Sequence, residues 1–364
     1  MATFPSKVNF VTGDILTATN MNDVGGAINL LDGAQYAGGK NRVLNSNFSV
    51  WQRGTSMAGS ATAFCSDRWN AWRAAAGSTF SRQTTSDTTN LPNIQYCVRV
   101  QRDSGNTGTG VIILNQNFES VNSIPLAGKT IVFSFYARAG ANYSSASSGL
   151  LSQVSTGTGT DQSYVTTGYT GEVTLISQTA TLTTTWQRFT YSATVAANVT
   201  EMSVQWRFTP VGTASTNDYF EVTGVQLEAA NTASPFQTAT GTIQGELAAC
   251  QRYYQKSYAQ GTTVPTNAQF VGVISGPGTS TLNNANFGFV KLPVVMRTAP
   301  TVTTYSYTSS TTSAISNGAG TDQGASSGVA AGIGDGGFSI NNNSGGTITT
   351  TNGWLIHYQA SAEL

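Results

Sequence analysis

Residues 130–136 read TIVFSFY, and this stretch decides the fold class. Its side chains alternate: Ile131, Phe133 and Phe135 share one side, and the residues between them share the other. A repeat of two residues is the period of a β-strand, and β-branched and aromatic residues favour strands. The stretch therefore predicts a strand with one face in a hydrophobic core.

A second stretch, residues 201–208, repeats this alternation as EMSVQWRF, with Met202, Val204 and Trp206 on one face. Period-two segments separated by turns are typical of an antiparallel sandwich. The long connection over residues 143–171 favours a jelly roll over a simple meander. Shorter segments of the same kind predict strands at residues 98–100, 110–114, 185–194 and 219–227.

The composition agrees with an all-β protein and excludes several partners. Only 9% of the 364 residues are charged, whereas 39 are glycine, which supplies turns. The 17 basic and 17 acidic residues balance and form no basic cluster, so nucleic acid is not an expected partner. No apolar run approaches the roughly 20 residues of a membrane-spanning helix, so a membrane is not one either.

The composition and the spacing of apolar residues change along the chain, and these changes predict four parts. Residues 1–40 form an attachment segment, residues 41–240 a jelly-roll β-sandwich, residues 241–262 a helical connector, and residues 263–364 a C-terminal β-sandwich domain. The first part holds a short amphipathic helix without a core of its own, which needs a partner to cover it. The apolar stripe of this helical anchor consists of Met21, Val24, Ile28 and Leu31.

The connector and the C-terminal domain carry weaker patterns. A stripe of Ile243, Leu247, Cys250 and Tyr254 predicts the connector helix. Residues 308–351 are mostly Gly, Ser, Asn and Thr with few apolar residues, which predicts a long polar loop with a recognition role. The expected strands of this domain cover residues 268–275, 286–293, 301–307 and 353–360.

Several blocks of sequence, taken in order, carry a resemblance. They are NSNFSVWQRG at 45–54 with DRW at 67–69, VTGVQLE at 222–228 with PF at 235–236, EL at 246–247 with CQRYY at 250–254, and LP at 292–293 with MRTAP at 296–300 and SAEL at 361–364. Together they resemble a family of phage tail-fibre and receptor-binding proteins. The resemblance implies a jelly roll similar to carbohydrate-binding modules and a virion-attachment segment at the N-terminus.

The resemblance implies a structural virion protein of the phage tail that attaches to the host by binding a cell-surface glycan. We expect a homotrimer, because tethered copies multiply weak contacts. The N-terminal segment would bind a phage tail or baseplate protein, and the C-terminal domain would contact host surface polysaccharide. A capsid-decorating fibre or tail adaptor without a receptor is the main alternative. An exported adhesin is a third, although MATFPSKVNF lacks the features of a secretory signal.

Aromatic rings in loops are the best candidates for stacking on sugars. Trp51, Trp69, Trp186 and Trp206 lie in strand-like segments, where burial in a core is the expected role. Asp67 beside Arg68 is expected to be a buried ion pair, and Arg252 a tether at the domain junction. The carbohydrate-binding candidates are Trp72, Tyr143, Tyr164, Tyr169, Tyr305 and Tyr307.

The sequence predicts neither an enzyme nor a cofactor. Glycoside hydrolysis needs two nearby carboxylates, and few acids lie at predicted strand ends. A structural calcium ion is the one metal considered, with Asp218 and Glu221 as weak candidate ligands. His357, the only histidine, is expected to be structural. Three widely spaced cysteines predict buried thiols, with a bridge between Cys65 and Cys97 as the alternative.

Overall fold

A computed structural model describes residues 39–58, 62–74, 77–278, 286–344, 348, 350 and 352–364. The predicted anchor residues Met21, Val24, Ile28 and Leu31 lie outside this part of the chain. Within it the protein is nearly all β, as the alternation predicts, and its strands build sandwiches of antiparallel sheets. The domain boundaries stay predictions.

Twelve strands form the first sandwich. They are β1 (Ser56–Ala58), β2 (Thr62–Phe64), β3 (Asn70–Arg73), β4 (Ser78–Thr84), β5 (Tyr96–Arg102), β6 (Ile112–Asn117), β7 (Thr130–Ala139), β8 (Gly149–Gly157), β9 (Val173–Thr181), β10 (Gln187–Thr194), β11 (Glu201–Phe208) and β12 (Tyr219–Ala229). The first sheet has the order β1-β4-β5-β12-β7-β10, and the second has the order β2-β3-β6-β11-β8-β9. Except for β2–β3, β4–β5 and β8–β9, consecutive strands lie in different sheets, so the chain crosses repeatedly between the layers, as in a jelly roll.

The two stretches that predict the fold meet in the middle of this sandwich. Trp206 on β11 packs against Phe133 and Phe135 on β7, with ring centroids 5.8 and 5.1 Å apart. Trp69 lies 5.6 Å from Trp206 on the other side. All four rings are buried, so the alternating residues of both sheets form one core.

Six strands of the first sandwich lie where the sequence predicts no strand: β1, β2, β3, β4, β8 and β9. β8 falls inside the predicted connection 143–171, and β9 follows it directly. β9 is an edge strand with mostly exposed residues, so its alternation of polarity is weak. The prediction of a 29-residue connection is therefore wrong, and the actual loop runs only from residue 158 to 172.

Two short helices complete this part of the chain. α1 (Ser120–Ser123) continues into a 3₁₀ turn (Ile124–Leu126), and a second 3₁₀ turn covers Ala146–Ser148. α2 (Ile243–Gln251) begins at Thr242, whose side chain accepts a hydrogen bond from the backbone N–H of Gly245. In the described part of the chain, no helix is long and apolar enough to span a membrane.

The predicted connector helix exists, but only part of its predicted apolar stripe is buried. Cys250 is buried as predicted, Ile243 is 53% exposed, and the helix also buries Glu246. Glu246 is buried because its carboxylate accepts hydrogen bonds from the backbone N–H groups of Asn45 and Thr240. The helix ends before Tyr254, which belongs to the next strand.

Eight strands follow the helix. They are β13 (Tyr254–Lys256), β14 (Ile274–Gly276), β15 (Asn286–Lys291), β16 (Thr301–Ser306), β17 (Ser316–Asn317), β18 (Val329–Gly334), β19 (Gly337–Asn341) and β20 (Trp354–Ser361). β20 pairs with β13, β14, β16 and β17, while β15, β19 and β18 form a separate three-stranded sheet. Phe338 and Tyr358, 5.2 Å apart, join the two sheets in a second core.

The prediction that residues 308–351 form a polar loop is wrong. This segment contributes β17, β18 and β19, and it buries Ile315, Phe338, Ile340 and Ile348 in the C-terminal core. Few apolar residues suffice here because these four are almost completely buried: Phe338 and Ile340 lie on β19, and Ile315 and Ile348 lie outside the strands. The segment is part of the scaffold of this sandwich.

Candidate functional site

A cleft opens on the outer face of the second sheet, the face that points away from the core. Its volume is about 220 Å³. Three strands supply its base, and the loop over residues 158–172 supplies its opposite wall. The lining residues are Trp72, Ile113 and Arg207 from the strands, and Tyr164, Val165 and Glu172 from the loop and its end.

Strand register places the three base residues in one row. Trp72 on β3 lies opposite Ile113 on β6, and Ile113 lies opposite Arg207 on β11. Their sequence neighbours Ala71 and Leu114 belong to the core on the other face. Because side chains alternate along a strand, the packing that buries the neighbours directs this row outward.

The cleft combines flat aromatic surface with a few charged groups. Trp72 and Tyr164 are each partly exposed. Arg207 and Glu172 form no ion pair among the described residues, so both can act on a bound molecule. Of the six lining residues only Glu172 is acidic, whereas hydrolysis of a glycosidic bond needs two carboxylates. The cleft thus combines aromatic surface with one cationic and one anionic side chain.

A second row of the same outer face carries three amides. Asn70 on β3, Asn115 on β6 and Gln205 on β11 lie opposite one another and are at most 2% exposed. We call these three residues the polar floor. The sequence contains the signal for this row, since Gln205 and Arg207 alternate with the buried residues of β11, but aromatic residues in predicted loops do not indicate it.

The loop over residues 158–172, here called the covering loop, crosses this outer face. Its Tyr164 backbone N–H and Tyr169 hydroxyl both donate to Asn117 Oδ1, at 3.1 and 3.2 Å. The backbone N–H of Gln162 donates to Glu201, whose pKa is raised by burial. The Tyr164 and Tyr169 rings pack edge to face, 5.4 Å apart. The loop is thus fixed at the Asn117 end and forms the cleft wall at the Trp72 end.

The structure brings together only some of the predicted sugar-binding residues. Trp72 and Tyr164 share the cleft, and Tyr169, which belongs to the covering loop, is buried. Tyr143 packs 4.6 Å from the core ring of Phe208 and donates its hydroxyl to the Gly149 carbonyl. The remaining two lie in the other sandwich, where Tyr305 is buried and Tyr307 is partly exposed.

The segments that carry the family resemblance converge elsewhere, where the two sandwiches meet. Glu363 near the C-terminus forms ion pairs with Arg53, at 3.0 Å, and with Arg68. Arg252 forms two hydrogen bonds with Glu119, at 2.8 and 3.0 Å, and Arg297 forms an ion pair with Asp161 at 3.0 Å. We call this set of ion pairs the junction. The predicted role of Arg252 as a tether agrees with this geometry.

The prediction that Arg68 pairs with the adjacent Asp67 is wrong. Arg68 stacks on the Tyr253 ring at 3.5 Å and pairs with Glu363, far along the chain. Asp67 instead accepts hydrogen bonds from the backbone N–H and side chain of Gln52, at 2.7 and 2.6 Å. Burial raises the pKa of Asp67 to about 6, although Arg53 opposes the shift.

The weak calcium candidates are paired with arginines on the first sheet. Asp218 forms an ion pair with the buried Arg102, at 2.9 Å. Glu221 lies between Arg99 and Arg138, with contacts of 2.6 and 2.5 Å. All three cysteines are free, buried thiols, so Cys65 and Cys97 are not bridged.

His357 is buried in the C-terminal sandwich. Its Nδ1 lies 2.8 Å from the Ser257 hydroxyl, and its Nε2 lies 2.6 Å from the Gln269 carbonyl oxygen. Because the carbonyl can only accept, Nε2 carries the proton and Nδ1 accepts from Ser257. Tyr258 stacks on the imidazole at 3.9 Å, and burial lowers the pKa of His357. These contacts fit the structural role predicted for it.

Comparisons with known proteins give no family for this chain. No protein-family profile matches it, and no curated protein sequence matches it. Among solved structures, the enzymatically active domain of bacteriophage CBA120 tailspike protein 4 is similar at 10% identity and a TM-score of 0.31, over 52% of this chain and 22% of that one.

Two sugar-binding proteins show similarity of the same degree. A sugar-binding protein from Bacteroides thetaiotaomicron, described as putative, is 13% identical over 52% of this chain and all of that one, with a TM-score of 0.33. TmCBM61, solved with β-1,4-galactotriose, is 11% identical over 52% of this chain and 99% of that one, with a TM-score of 0.32. Similarities this low carry no weight for the function of the present chain.

Proposed function

We propose that this protein binds a glycan in the cleft of its jelly roll and does not cleave it. The observation that carries the proposal is the pairing of Trp72 and Tyr164 across a cleft whose only carboxylate is Glu172. An aromatic ring stacks on the apolar face of a sugar, and polar groups beside it bind the hydroxyls. Arg207 and Glu172 supply such groups at the cleft.

The size of the cleft limits what it holds. At about 220 Å³ it is smaller than the roughly 300–1,000 Å³ of typical pockets for small molecules. We therefore propose that one or two residues of a longer polysaccharide enter it, while the rest of the chain stays in solvent. Binding at one such site is weak, and a multivalent particle compensates for this.

The sequence resemblance supports a setting for this activity. We propose that the protein is a homotrimeric phage tail fibre that attaches to surface polysaccharide of the host through the jelly-roll cleft. The N-terminal segment would join it to a tail or baseplate protein. This moves recognition from the C-terminal sandwich, where the sequence predicts it, to the first sandwich, because residues 308–351 form core strands.

Binding of oligosaccharides to the Trp72→Ala variant tests the proposal. A panel of neutral oligosaccharides, including β-1,4-galactotriose, is titrated against the protein and followed by calorimetry. We expect the oligosaccharide that binds best to lose at least about tenfold in affinity, about 1.4 kcal/mol. The matched control is Tyr307→Ala, which removes a partly exposed ring from the other sandwich. Unchanged binding by Trp72→Ala together with loss by Tyr307→Ala would return recognition to the C-terminal sandwich.

A further inference from the structure

The polar floor contains hydrogen-bonding atoms without partners. Asn70 Oδ1, Asn115 Oδ1 and Gln205 Oε1 are buried and have no partner among the described residues. The three residues are consecutive across β3, β6 and β11, so the unpaired atoms form one row. Neighbouring strands are about 4.8 Å apart, which sets the spacing of the row.

Such a row needs a physical reason. Each buried polar atom without a partner costs roughly 1–3 kcal/mol, and native proteins rarely leave one unpaired. A hydroxyl group both donates and accepts, so it complements an amide whichever end of the amide faces it. A molecule that carries several hydroxyls, such as a sugar, is therefore the class of ligand that fits the polar floor.

The covering loop lies between this row and solvent. It contacts Asn117 and Glu201 at one end of the outer face and lines the cleft beside Trp72 at the other. The polar floor occupies the strand positions between these two contacts. Thus the loop closes over the floor while no side chain of the loop bonds to the three unpaired atoms.

One ion pair connects the covering loop to the C-terminal sandwich. Asp161 in the loop accepts from Arg297 at 3.0 Å through one carboxylate oxygen and from the Ser120 backbone N–H at 2.8 Å through the other. Both charged side chains are partly exposed, so water can replace the contact at modest cost. At its other end the loop passes through Gly171, whose φ of +60° strains any other residue.

We infer that the covering loop is a lid over a second, buried subsite for sugar hydroxyls, and that the Asp161–Arg297 ion pair holds it closed. This inference deepens the proposed glycan binding and rests on it. The cleft beside Trp72 holds the first part of the ligand. When the lid opens, the polar floor receives hydroxyls of the neighbouring sugar residue.

Thiol labelling under the lid tests the motion without any ligand. Asn115→Cys places a thiol of similar size in the floor, whereas the native thiols of Cys65, Cys97 and Cys250 are buried and report global unfolding. We expect the introduced thiol to react faster than the native thiols. Adding Asp161→Asn to Asn115→Cys should raise the labelling rate of the introduced thiol at least about tenfold further. The matched control is Asp335→Asn, which alters an exposed carboxylate outside the junction and should leave the rate unchanged.

Two outcomes of this experiment overturn the lid. If the introduced thiol reacts only as fast as the native thiols, the loop opens only when the protein unfolds. If it reacts at the rate of a free thiol before any second substitution, the loop does not cover the floor. Arg297→Gln gives a second way to break the ion pair, and it should reproduce the effect of Asp161→Asn.

The ligand arm separates this inference from the proposed function. A saturating oligosaccharide whose binding depends on Trp72 should slow the labelling at least about tenfold. If that ligand binds but does not slow labelling, the second subsite is wrong and the cleft proposal stands. If no oligosaccharide binds and labelling still responds to Asp161→Asn, the lid stands and its role in glycan binding is wrong.

Discussion

The junction and the polar floor are both polar, but the junction consists of ion pairs and the floor of neutral amides. In the junction every arginine forms an ion pair with a carboxylate. Glu363 pairs with Arg53 and Arg68, and Glu119 pairs with Arg252. In the floor three neighbouring amides keep unpaired atoms. The junction is not fully paired either, because Arg53 Nη1 and Arg68 Nε have no hydrogen-bond partner among the described residues. The floor differs in that its three unpaired atoms are neutral amide oxygens on adjacent strands, without an ion pair beside them.

Several residues of the blocks that carry the family resemblance lie at the junction. The blocks that contain Arg53, Arg68, Arg252 and Glu363 come together at the junction. These blocks therefore contribute to the contact between the two sandwiches. The cleft and the floor come from strands without a distinctive motif, so the resemblance carries no information about them.

The largest effect is expected from shortening residues 316–342 to a tight turn. The change removes β17, β18 and β19 together with the core residues Phe338 and Ile340. Losing one buried aromatic side chain already costs about 3–5 kcal/mol, and a domain has only about 5–15 kcal/mol of stability. The C-terminal sandwich should unfold, as measured by near-UV circular dichroism and limited proteolysis.

Two point variants calibrate this result. Phe338→Ala should lower the free energy of unfolding by about 3–5 kcal/mol. Phe289→Ala, on the neighbouring strand β15 but 65% exposed, should change it by less than about 1 kcal/mol. Equal effects of the two would mean that Phe338 is not a core residue, and the segment would again be a candidate recognition loop.

How far the sequence predicts the structure depends on what each residue packs against. Strands β11 and β12 begin where the alternation predicts, because their inner faces meet a large core. Strands β8 and β17 are not predicted, since their polar residues are ordered by pairing with distant strands. Trp72 and Tyr164 are predicted as ligand contacts, but their proximity depends on a loop whose path no local pattern specifies.

The second prediction compares the junction and the floor directly. Arg68→Ala should lower the free energy of unfolding by about 3–5 kcal/mol, because it leaves the Glu363 carboxylate buried with one partner fewer. Asn115→Ala should change it by only about 1 kcal/mol, because the lost packing is offset by removing an unpaired atom. Urea denaturation measures both.

A larger loss of stability for Asn115→Ala than for Arg68→Ala would contradict the contrast between the floor and the junction. A loss above about 3 kcal/mol for Asn115→Ala would show that Asn115 Oδ1, like its Nδ2, has a structural partner, and the floor would then be a structural network like the junction. A loss below about 1 kcal/mol for Arg68→Ala would show that Arg53 alone holds Glu363.

The third prediction concerns pH. Burial raises the pKa of Asp67 from 3.8 to about 6, so the folded protein binds this proton more tightly than the unfolded chain. The stabilisation is fully present below pH 3.8 and is lost as the pH rises through 6. Between pH 5 and 7.5 the wild type should lose about 1 kcal/mol more than Asp67→Asn.

The two proteins must be compared by their slopes with pH. Asp67→Asn also removes a hydrogen-bond acceptor for Gln52, which shifts its stability at every pH. The lowered pKa of His357 makes both proteins less stable as the pH falls, and this contribution cancels in the difference. Parallel slopes would mean that Asp67 stays ionised and that burial does not raise its pKa.

The smallest effect is expected from removing calcium with a chelator. Both oxygens of Glu221 contact arginines, and the oxygens of Asp218 accept from Arg102 and the Ser144 backbone N–H. A calcium ion would have to displace these guanidinium groups to gain 6–8 oxygen ligands. The melting temperature should therefore move by less than about 1 °C. A fall of about 4 °C or more in the melting temperature corresponds to a loss of at least about 1 kcal/mol in the free energy of unfolding. It would show that these carboxylates are available to a ligand, as we infer for the amides of the polar floor.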